Sequence, residues 1–324
     1  MSARSTAKTP EELPASLQGL GKSDWLNRLA GIASSRGGFR ELGKRHFAAF
    51  ISAGPTLLVT FETQAGIQGL TEEAQPLGWR LVREAGWSHL CLASDGDTWF
   101  RDEAVYAYFD DLVDRGFFEE FEQVIFYGAG PCAYAACAFS VAAPGAHVLA
   151  VQPQATLDPA MTEWDERFRE MRRLDFTSRY GYAPDMLDAA GKAFVLYDPM
   201  DRLDAMHAAL FARPNVTLLR LRHMGGALQG ALLRMGMLHT LLRLVGTDRL
   251  DRHSFATLYR RRRRYPPYLR NLLSQLEVDE REPLIQALCQ NVTRRMNLPR
   301  FRRRLRRLPG VAGEMEEAAR ITDD

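Results

Sequence analysis

Short apolar segments alternate with amphipathic segments between residues 77 and 244, and this alternation constrains the fold more than any other feature. The apolar segments have the length of strands and cover 88–93, 123–127, 147–151, 193–197 and 216–221. The segments with helical periodicity lie near 77–85, 103–115, 132–141, 203–211 and 226–244. Strands that alternate with helices form βαβ units. The sequence therefore predicts an α/β fold, with a mostly parallel sheet that carries helices on both faces.

The first 76 residues add elements at the start of this pattern. Apolar residues at helical spacing predict a helix over 23–36. Two strands are predicted over 46–51 and 56–61, and the Gly54-Pro55 turn between them favours a hairpin. Residues 1–22 are polar and lack the apolar stretch of a secretory signal, so we expect a flexible leader there.

The cysteines and the glycine motifs exclude several classes of protein. No two of the four cysteines form a Cys-x-x-Cys pair, which favours buried free thiols over a metal or disulfide framework. Free thiols without a signal peptide predict a reducing compartment, and we expect a cytoplasmic location. No window of about 18 apolar residues predicts a transmembrane helix. There is no phosphate-binding Walker loop and no Gly-x-Gly-x-x-Gly motif, so no cofactor is expected. The acid pair Asp95 and Asp97 could bind a hard cation but lacks further ligands, so an ordinary turn is favoured and no metal is expected.

Charge is distributed unevenly along the chain. Residues 252–307 contain sixteen arginines and four carboxylates, whereas residues 308–324 contain one arginine and five carboxylates. We therefore predict a main domain over 23–248, a basic helical appendage over 249–308 and an acidic tail over 309–324. The basic segment suits an acidic polymer, an anionic membrane surface or a protein partner, although a solvated basic face is the plainer alternative.

Several chemically distinctive residues directly follow predicted strands. Crossovers between parallel strands are right-handed, so the carboxyl ends of these strands share one edge of the sheet, where ligands bind. The residues at this edge are Phe61 and Glu62, the stretch Gly128-Ala129-Gly130-Pro131-Cys132, the acids Asp198 and Asp201, and His223. A polar and aromatic insertion over 154–191 is placed where it would cap a pocket at the same edge.

The order of glycine-rich elbow, acid and histidine resembles that of the α/β-hydrolases. The resemblance is to esterase-like members with a Tyr-Gly-x-Ser-x-Gly-Gly-Tyr elbow, and it covers about residues 45–246. It implies that Gly130 occupies the position of the nucleophile and that His223 occupies that of the base. Asp201 takes the position of the acid, with Asp198 as a nearby substitute.

The resemblance also implies an oxyanion hole, made by the backbone N–H of residue 131 and one N–H from residues 61–63. Glycine has no hydroxyl, so Gly130 cannot form an acyl-enzyme. Proline has no N–H, so Pro131 cannot donate to an oxyanion. Loss of one such donor typically costs about a hundredfold to a thousandfold in turnover. We therefore predict a degenerate, catalytically impaired elbow that binds a small ligand or a partner.

Other interpretations of the same residues stay open. Cys132 or an activated water, with His223 as base and Asp201 as orienter, would make an atypical hydrolase or acyltransferase. A third hypothesis assigns the function to the basic segment as a module associated with polyanions. The plainer alternatives are that Gly128 and Gly130 satisfy a tight turn, that Cys132 is a buried packing residue, and that Asp201 caps a helix.

Overall fold

The computed structural model describes residues 13, 14 and 16–308, and these residues divide into two compact units. The first unit comprises the described residues up to Arg222 together with Gly226–Thr257. The second comprises His223–Gly225 and the described residues from Leu258 onward. The predicted acidic tail over 309–324 and most of the predicted leader lie outside the described residues. The predicted boundary at 248/249 thus falls nine residues before the observed one at 257/258.

The first unit is built on an eight-stranded sheet. Its strands are β1 (Gly37–Leu42), β2 (His46–Ile51), β3 (Thr56–Thr63), β4 (Ser88–Ser94), β5 (Gln123–Ala129), β6 (His147–Val151), β7 (Lys192–Tyr197) and β8 (Val216–Arg220). They are ordered β1-β2-β4-β3-β5-β6-β7-β8 across the sheet. Strand β2 runs antiparallel to β1 and β4, and all pairs from β4–β3 to β7–β8 are parallel.

The predicted hairpin between β2 and β3 is wrong. Strand β4 lies between them, so β2 pairs with β1 and β4, and β3 pairs with β4 and β5. A short turn suits a hairpin locally, but β4 pairs with both strands and so separates them. The strand pattern also missed β1, because Leu42 is its only buried residue and it carries no apolar run.

The helices of the first unit are α1 (Lys22–Arg36), α2 (Gln64–Leu70), α3 (Trp79–Ala85), α4 (Glu103–Asp114), α5 (Pro131–Phe139), α6 (Pro159–Thr162), α7 (Ala183–Met186), α8 (Arg202–Leu210), α9 (Leu228–Arg234) and α10 (Leu238–Gly246), and α11 (Arg252–Tyr259) spans the boundary between the units. The single helix predicted over 226–244 is therefore two helices. They separate at Gly236, whose positive φ of 63° ends the first helix.

Both faces of the sheet are covered, as the α/β pattern predicts. In β4, Leu90 and Leu92 belong to one apolar cluster, whereas Cys91 and Ala93 belong to another on the opposite face. The first cluster contains most of α5, and the second contains buried residues of α1 and α3. The α/β class with a mostly parallel sheet and helices on both faces is thus confirmed. None of the helices within residues 16–308 is long and apolar enough to cross a bilayer.

The segment just before α1 differs from the flexible leader that its composition predicts. Leu13 and Leu17 are buried in the cluster that contains Trp25 of α1. The backbone N–H of Leu17 donates to the carbonyl oxygen of Glu73 at 2.8 Å. Burial of two leucine side chains supplies enough apolar contact to fix this part of the chain against the sheet unit.

A buried charged network holds the insertion over 154–191 to α8. Asp165 accepts hydrogen bonds from Arg167 at 2.8–3.1 Å, and Arg167 also donates to Asp204 of α8 at 2.7 Å. His207, also in α8, lies 2.9 Å from the Asp165 carboxylate through Nε2. The Nδ1 atom of His207 accepts from the backbone N–H of Ala155, so Nε2 carries the proton and donates to Asp165.

The network sets the ionisation of its central carboxylate. Burial alone would raise the pKa of Asp165, but hydrogen bonds from His207 and Arg167 outweigh it and hold the pKa well below its usual range. A depressed pKa in the folded state adds stability above the unfolded pKa of about 3.9, and this stability is lost as the pH falls through the folded value. The contribution of Asp165 is therefore fully present at neutral pH and is lost in acid.

We expect Asp165→Asn to lower the free energy of unfolding at pH 7 by about 3–5 kcal/mol, because it leaves buried partners of the carboxylate unpaired. Denaturant unfolding measures this loss. Glu166→Gln is the matched control, since the neighbouring Glu166 side chain is 71% exposed. The gap between wild type and Asp165→Asn should narrow only below about pH 4. A loss equal to that of the control would contradict the role of the network.

The second unit is a small helical body with its own apolar core. Its main helices are α12 (Pro266–Val278), α13 (Glu282–Arg295) and α14 (Pro299–Arg306), preceded by a 3-10 turn over Arg260–Arg264. The core contains one or more residues from each helix: Leu269, Leu273, Ile285, Cys289, Val292, Phe301 and Leu308. The basic helical appendage predicted from the sequence is confirmed as a packed body of helices.

Candidate functional site

The turn between β5 and α5 has the geometry of a nucleophile elbow. Gly130 lies at its apex with φ 58° and ψ −127°, a conformation that residues with a side chain rarely adopt. The backbone N–H of Gly130 donates to the carbonyl oxygen of Val151, and α5 begins with Pro131 as its first residue. The hydrolase elbow is the same sharp and strained passage from strand to helix.

Two glycines serve this turn for different reasons. A Cβ atom on Gly128 would come within 2.1 Å of the carbonyl oxygen of Cys132, so β5 and α5 approach closely only because Gly128 has no side chain. A Cβ atom on Gly130 would meet no atom within 4 Å, so the apex is constrained by its torsion angles and not by space. The strand order and the position of the elbow directly after β5 together identify the fold. The chain has the α/β-hydrolase fold.

A cavity of about 210 Å³ lies beside the elbow. It is lined by residues from the ends of β3 and β5, the starts of α5 and α9, helix α2 and the loop after β4: Phe61, Glu62, Thr63, Gly66, Leu70, Asp97, Ala129, Pro131, Cys132 and Gln229. The pairing of β3 with β5 ends at Thr60, so residues 61–63 have β4 on one side and the cavity on the other. This is where the resemblance places the oxyanion hole.

Glu62 is the buried acid of this cavity. Its carboxylate accepts from the Thr60 hydroxyl at 2.6 Å and from the backbone N–H of Leu77 at 3.2 Å. The Cys91 thiol lies 3.5 Å from the same carboxylate. Burial raises the pKa of Glu62, and the hydrogen bonds from Thr60 and Leu77 offset part of the rise. The Glu62 carboxylate therefore takes up a proton more readily than an exposed glutamate does.

Cys132 does not have the surroundings of an activated nucleophile. Burial raises the pKa of its thiol, and the carboxylates of Glu62 and Asp97 raise it further. A reactive cysteine needs the opposite environment, with positive charge nearby and access to solvent. The position of Cys132 in the first turn of α5 does not compensate for two neighbouring acids. The structure therefore favours the packing interpretation of Cys132.

The two candidate acids occupy different environments at the end of β7. The Asp201 carboxylate caps α8 and accepts from the backbone N–H groups of Leu203 and Asp204, each at 3.1 Å. Asp198 is buried, and its carboxylate accepts from the backbone N–H of Met200 at 2.9 Å. The capping interpretation of Asp201 thus describes its contacts, and Asp198 is the more enclosed acid.

His223 belongs to the second unit by its contacts. It has a positive φ of 64°, and its carbonyl oxygen accepts from the Asn271 side chain at 3.0 Å. Its ring centroid lies 6.4 Å from that of Tyr268. The structure therefore groups the candidate base with the helical unit, while Gly130, Glu62 and the two candidate acids belong to the sheet unit.

No protein-family model matches the sequence, and no curated protein sequence matches it. Similarity to solved structures is confined to low sequence identity. The Glycosylation Associate Protein (Gap123) complex from Streptococcus agalactiae is 14% identical with a TM-score of 0.42, over 61% of this chain and 44% of that one. The chain thus spans less than half the length of that protein.

Two further similar structures are covered almost completely by the match. FphF, a fluorophosphonate-binding serine hydrolase of Staphylococcus aureus, is 11% identical with a TM-score of 0.44, over 63% of this chain and 94% of that one. The capsule O-acetyltransferase of Neisseria meningitidis serogroup A is 9% identical with a TM-score of 0.42, over 64% of this chain and 94% of that one. All three TM-scores lie below 0.5, so the fold is assigned from the strand order and the elbow and not from these matches.

Sequence reasoning missed part of the cavity wall. Gln229 of α9 and Asp97 of the loop after β4 both line the cavity. Asp97 belongs to the acid pair that the sequence places directly after a predicted strand, whereas Gln229 has no local signal, because only the chain fold brings α9 to the elbow. Among the residues that the structure describes, no group of three or more His, Cys, Asp or Glu side chains could hold a metal ion.

The two elbow glycines should respond differently to alanine. We expect Gly130→Ala to lower the free energy of unfolding by about 1–3 kcal/mol, the range for an unfavourable backbone conformation. Gly128→Ala should cost about 3 kcal/mol or more, because its Cβ collides with backbone of α5. Gly69→Ala, in the exposed and open part of α2, is the control and should be neutral or stabilising. A greater loss for Gly130→Ala than for Gly128→Ala would refute this assignment.

The thiol of Cys132 should resist alkylation. We expect iodoacetamide at pH 8 to modify it at least about tenfold more slowly than a free cysteine, because each unit of raised pKa removes a factor of ten in thiolate. Peptide mapping by mass spectrometry measures the rate at each of the four cysteines, all of which are buried. The same protein in denaturant is the control. Rapid, stoichiometric modification of Cys132 in the native protein would reinstate it as a nucleophile.

Proposed function

We propose that this α/β-hydrolase-fold protein has lost acyl-transfer chemistry at its elbow and uses the adjoining cavity to bind a small molecule. One observation carries the proposal: the apex residue is glycine and the next residue is proline. The first lacks the hydroxyl that would attack an acyl group, and the second lacks the N–H that would stabilise the resulting oxyanion. The elbow conformation itself is retained at Gly130.

The walls of the cavity support a ligand with positive charge or hydrogen-bond donors. The residues that line it include two acids, Glu62 and Asp97, and one residue with an amide side chain, Gln229. Within the described chain, no lysine, arginine or histidine is among the ten residues that line this cavity. Hydrolases place donors beside the elbow because negative charge develops there. Here the acids would repel such an oxyanion, and they would attract an ammonium group instead.

The size of the cavity limits the ligand to few atoms. A volume of about 210 Å³ is below the roughly 300–1,000 Å³ of ordinary ligand pockets. Small ligands gain at most about 1.5 kcal/mol per non-hydrogen atom, so four such atoms give a ceiling near 6 kcal/mol. An affinity in the millimolar range, which corresponds to about 4 kcal/mol, is therefore reasonable for a minimal probe.

The atypical hydrolase that uses Cys132 has weaker support. Its nucleophile would need a lowered pKa, whereas burial and the charges of Glu62 and Asp97 raise the pKa of this thiol. The version with an activated water needs Asp201 to orient a histidine, whereas the contacts that the structure gives its carboxylate are two backbone N–H groups of α8. We therefore favour ligand binding over either form of catalysis.

The experiment compares n-propylammonium with propionate, two probes of similar size and opposite charge. We expect n-propylammonium to shift the amide resonances of Thr63, Gly66 and Ala129 in a saturable way, with a dissociation constant in the millimolar range. Propionate should shift none of them. Glu62→Gln should weaken binding of the ammonium probe by about tenfold, in line with loss of a charged hydrogen bond.

Glu41→Gln is the matched control, because Glu41 is exposed in β1 and its substitution removes the same charge away from the cavity. Binding of the ammonium probe that is equal in wild type and Glu62→Gln would contradict the assignment of the cavity. Preferential binding of propionate at the same amides would show that the cavity favours negative charge and would contradict the proposal.

A further inference from the structure

The second unit carries an unusual concentration of arginine that the elbow and its cavity do not use. Residues 258–308 contain fifteen arginines, four carboxylates and no lysine. Thirteen of these arginines are exposed, so much of their charge faces solvent. They concentrate in two places, which we name the first arginine run (Arg260–Arg264) and the second arginine run (Arg300–Arg307).

Two of the four acids among residues 258–308 pair with one side of α14. Glu277 accepts from Arg300 at 3.5 Å and from Arg304 at 3.0 Å, and Glu282 accepts from Arg304 at 2.9 Å. The other two acids, Asp279 and Glu280, lie in the turn after α12. Among residues 258–308, fifteen arginines thus outnumber four carboxylates, and this part of the unit is strongly basic.

Helix α14 separates its apolar and basic residues. Phe301 is fully buried and Leu305 packs against the same core, so this stripe faces the interior of the unit. Arg303 and Arg306 lie on the opposite side at helical spacing, and both are exposed. The arginines thus form a row on a rigid element, with guanidinium forks that suit phosphate oxygens.

This arrangement argues against a membrane surface as the partner. A helix that binds a bilayer inserts an apolar face beside its basic residues, but the apolar face of α14 is already buried in the unit. Among residues 258–308, the large apolar side chains that are exposed are Val278 and Leu284. They flank the turn that holds Asp279 and Glu280, and an anionic membrane would repel these carboxylates.

The aromatic residues argue against unpaired bases as the partner. Proteins that bind single strands stack bases on exposed aromatic rings. Here Tyr259 and Tyr265 are buried, and the Arg262 guanidinium lies 4.3 Å from the Tyr259 ring centroid and 5.6 Å from that of Tyr268. The rings are used within the unit, which leaves the arginines as the groups available to a ligand.

We propose that the second unit binds the phosphate backbone of double-stranded nucleic acid, independently of sequence, through the two arginine runs. A duplex offers a dense and regular line of phosphates to a rigid row of guanidinium groups. Binding to a duplex requires neither an apolar helix face that inserts into a bilayer nor an aromatic ring that stacks on a base. The partner is thereby distinguished from a bilayer and from a single strand by features of the same unit.

The test is the salt dependence of binding by the full-length chain to fluorescent 20-base-pair duplexes of two unrelated sequences. We expect equal affinity for both duplexes and a linear fall of log K with log salt. The variant Arg303→Gln/Arg306→Gln/Arg307→Gln should reduce the magnitude of this slope by about 2.7, at about 0.9 per lost phosphate contact. Its affinity at 0.1 M salt should fall at least about tenfold.

The control Arg28→Gln/Arg173→Gln/Arg249→Gln removes three exposed arginines from the first unit and should leave the slope unchanged. Circular dichroism of both triple variants confirms that they are folded, and Arg260→Gln/Arg261→Gln/Arg264→Gln repeats the test on the first arginine run. Failure of the wild-type chain to bind either duplex at low salt would overturn the proposal. Tighter binding to a single strand, or to phosphatidylserine vesicles, than to the duplexes would overturn it as well.

Discussion

The close approach of β5 and α5 at Gly128 is the contact on which the candidate site depends. With no side chain there, the carbonyl oxygen of Cys132 lies where a Cβ atom would be, and the chain turns sharply into the helix. The turn forces Gly130 into a positive φ and sets it at the carboxyl edge of the sheet. The cavity lies directly beside this turn.

The elbow turn of this chain lies beside two acidic residues, Glu62 and Asp97. In a hydrolase the elbow carries the nucleophile, and the next residue donates a backbone N–H. These groups stabilise the negative charge of the oxyanion that forms there. In this chain Pro131 follows the apex, and the buried Glu62 lies at the end of β3 with its carboxylate held by Thr60 and Leu77. The proposed site therefore combines the turn of a hydrolase elbow with two acidic residues beside it.

Much of the fold could be predicted because strand and helix periods are local properties of the sequence. Strand β6 was predicted with the bounds that the structure shows, and the position of the elbow followed from the glycines after β5. The order of β2, β4 and β3 could not be predicted locally, since it depends on a crossover. The Asp165–His207 pair escaped notice for the same reason, because 42 residues separate its members. Proposed roles for His223 and Asp201 came from chain order, whereas their contacts are set by Asn271 and by the N-terminus of α8.

The central claim is that the elbow keeps its shape without the atoms that form an acyl-enzyme. The most direct measurement is the intact mass of the protein after incubation with p-nitrophenyl acetate, compared with an active serine hydrolase treated in parallel. We expect no stoichiometric acetyl adduct on this chain, whereas the control enzyme is acetylated. A stoichiometric acetyl adduct on a residue that lines the cavity, absent from the His223→Ala variant, would contradict it.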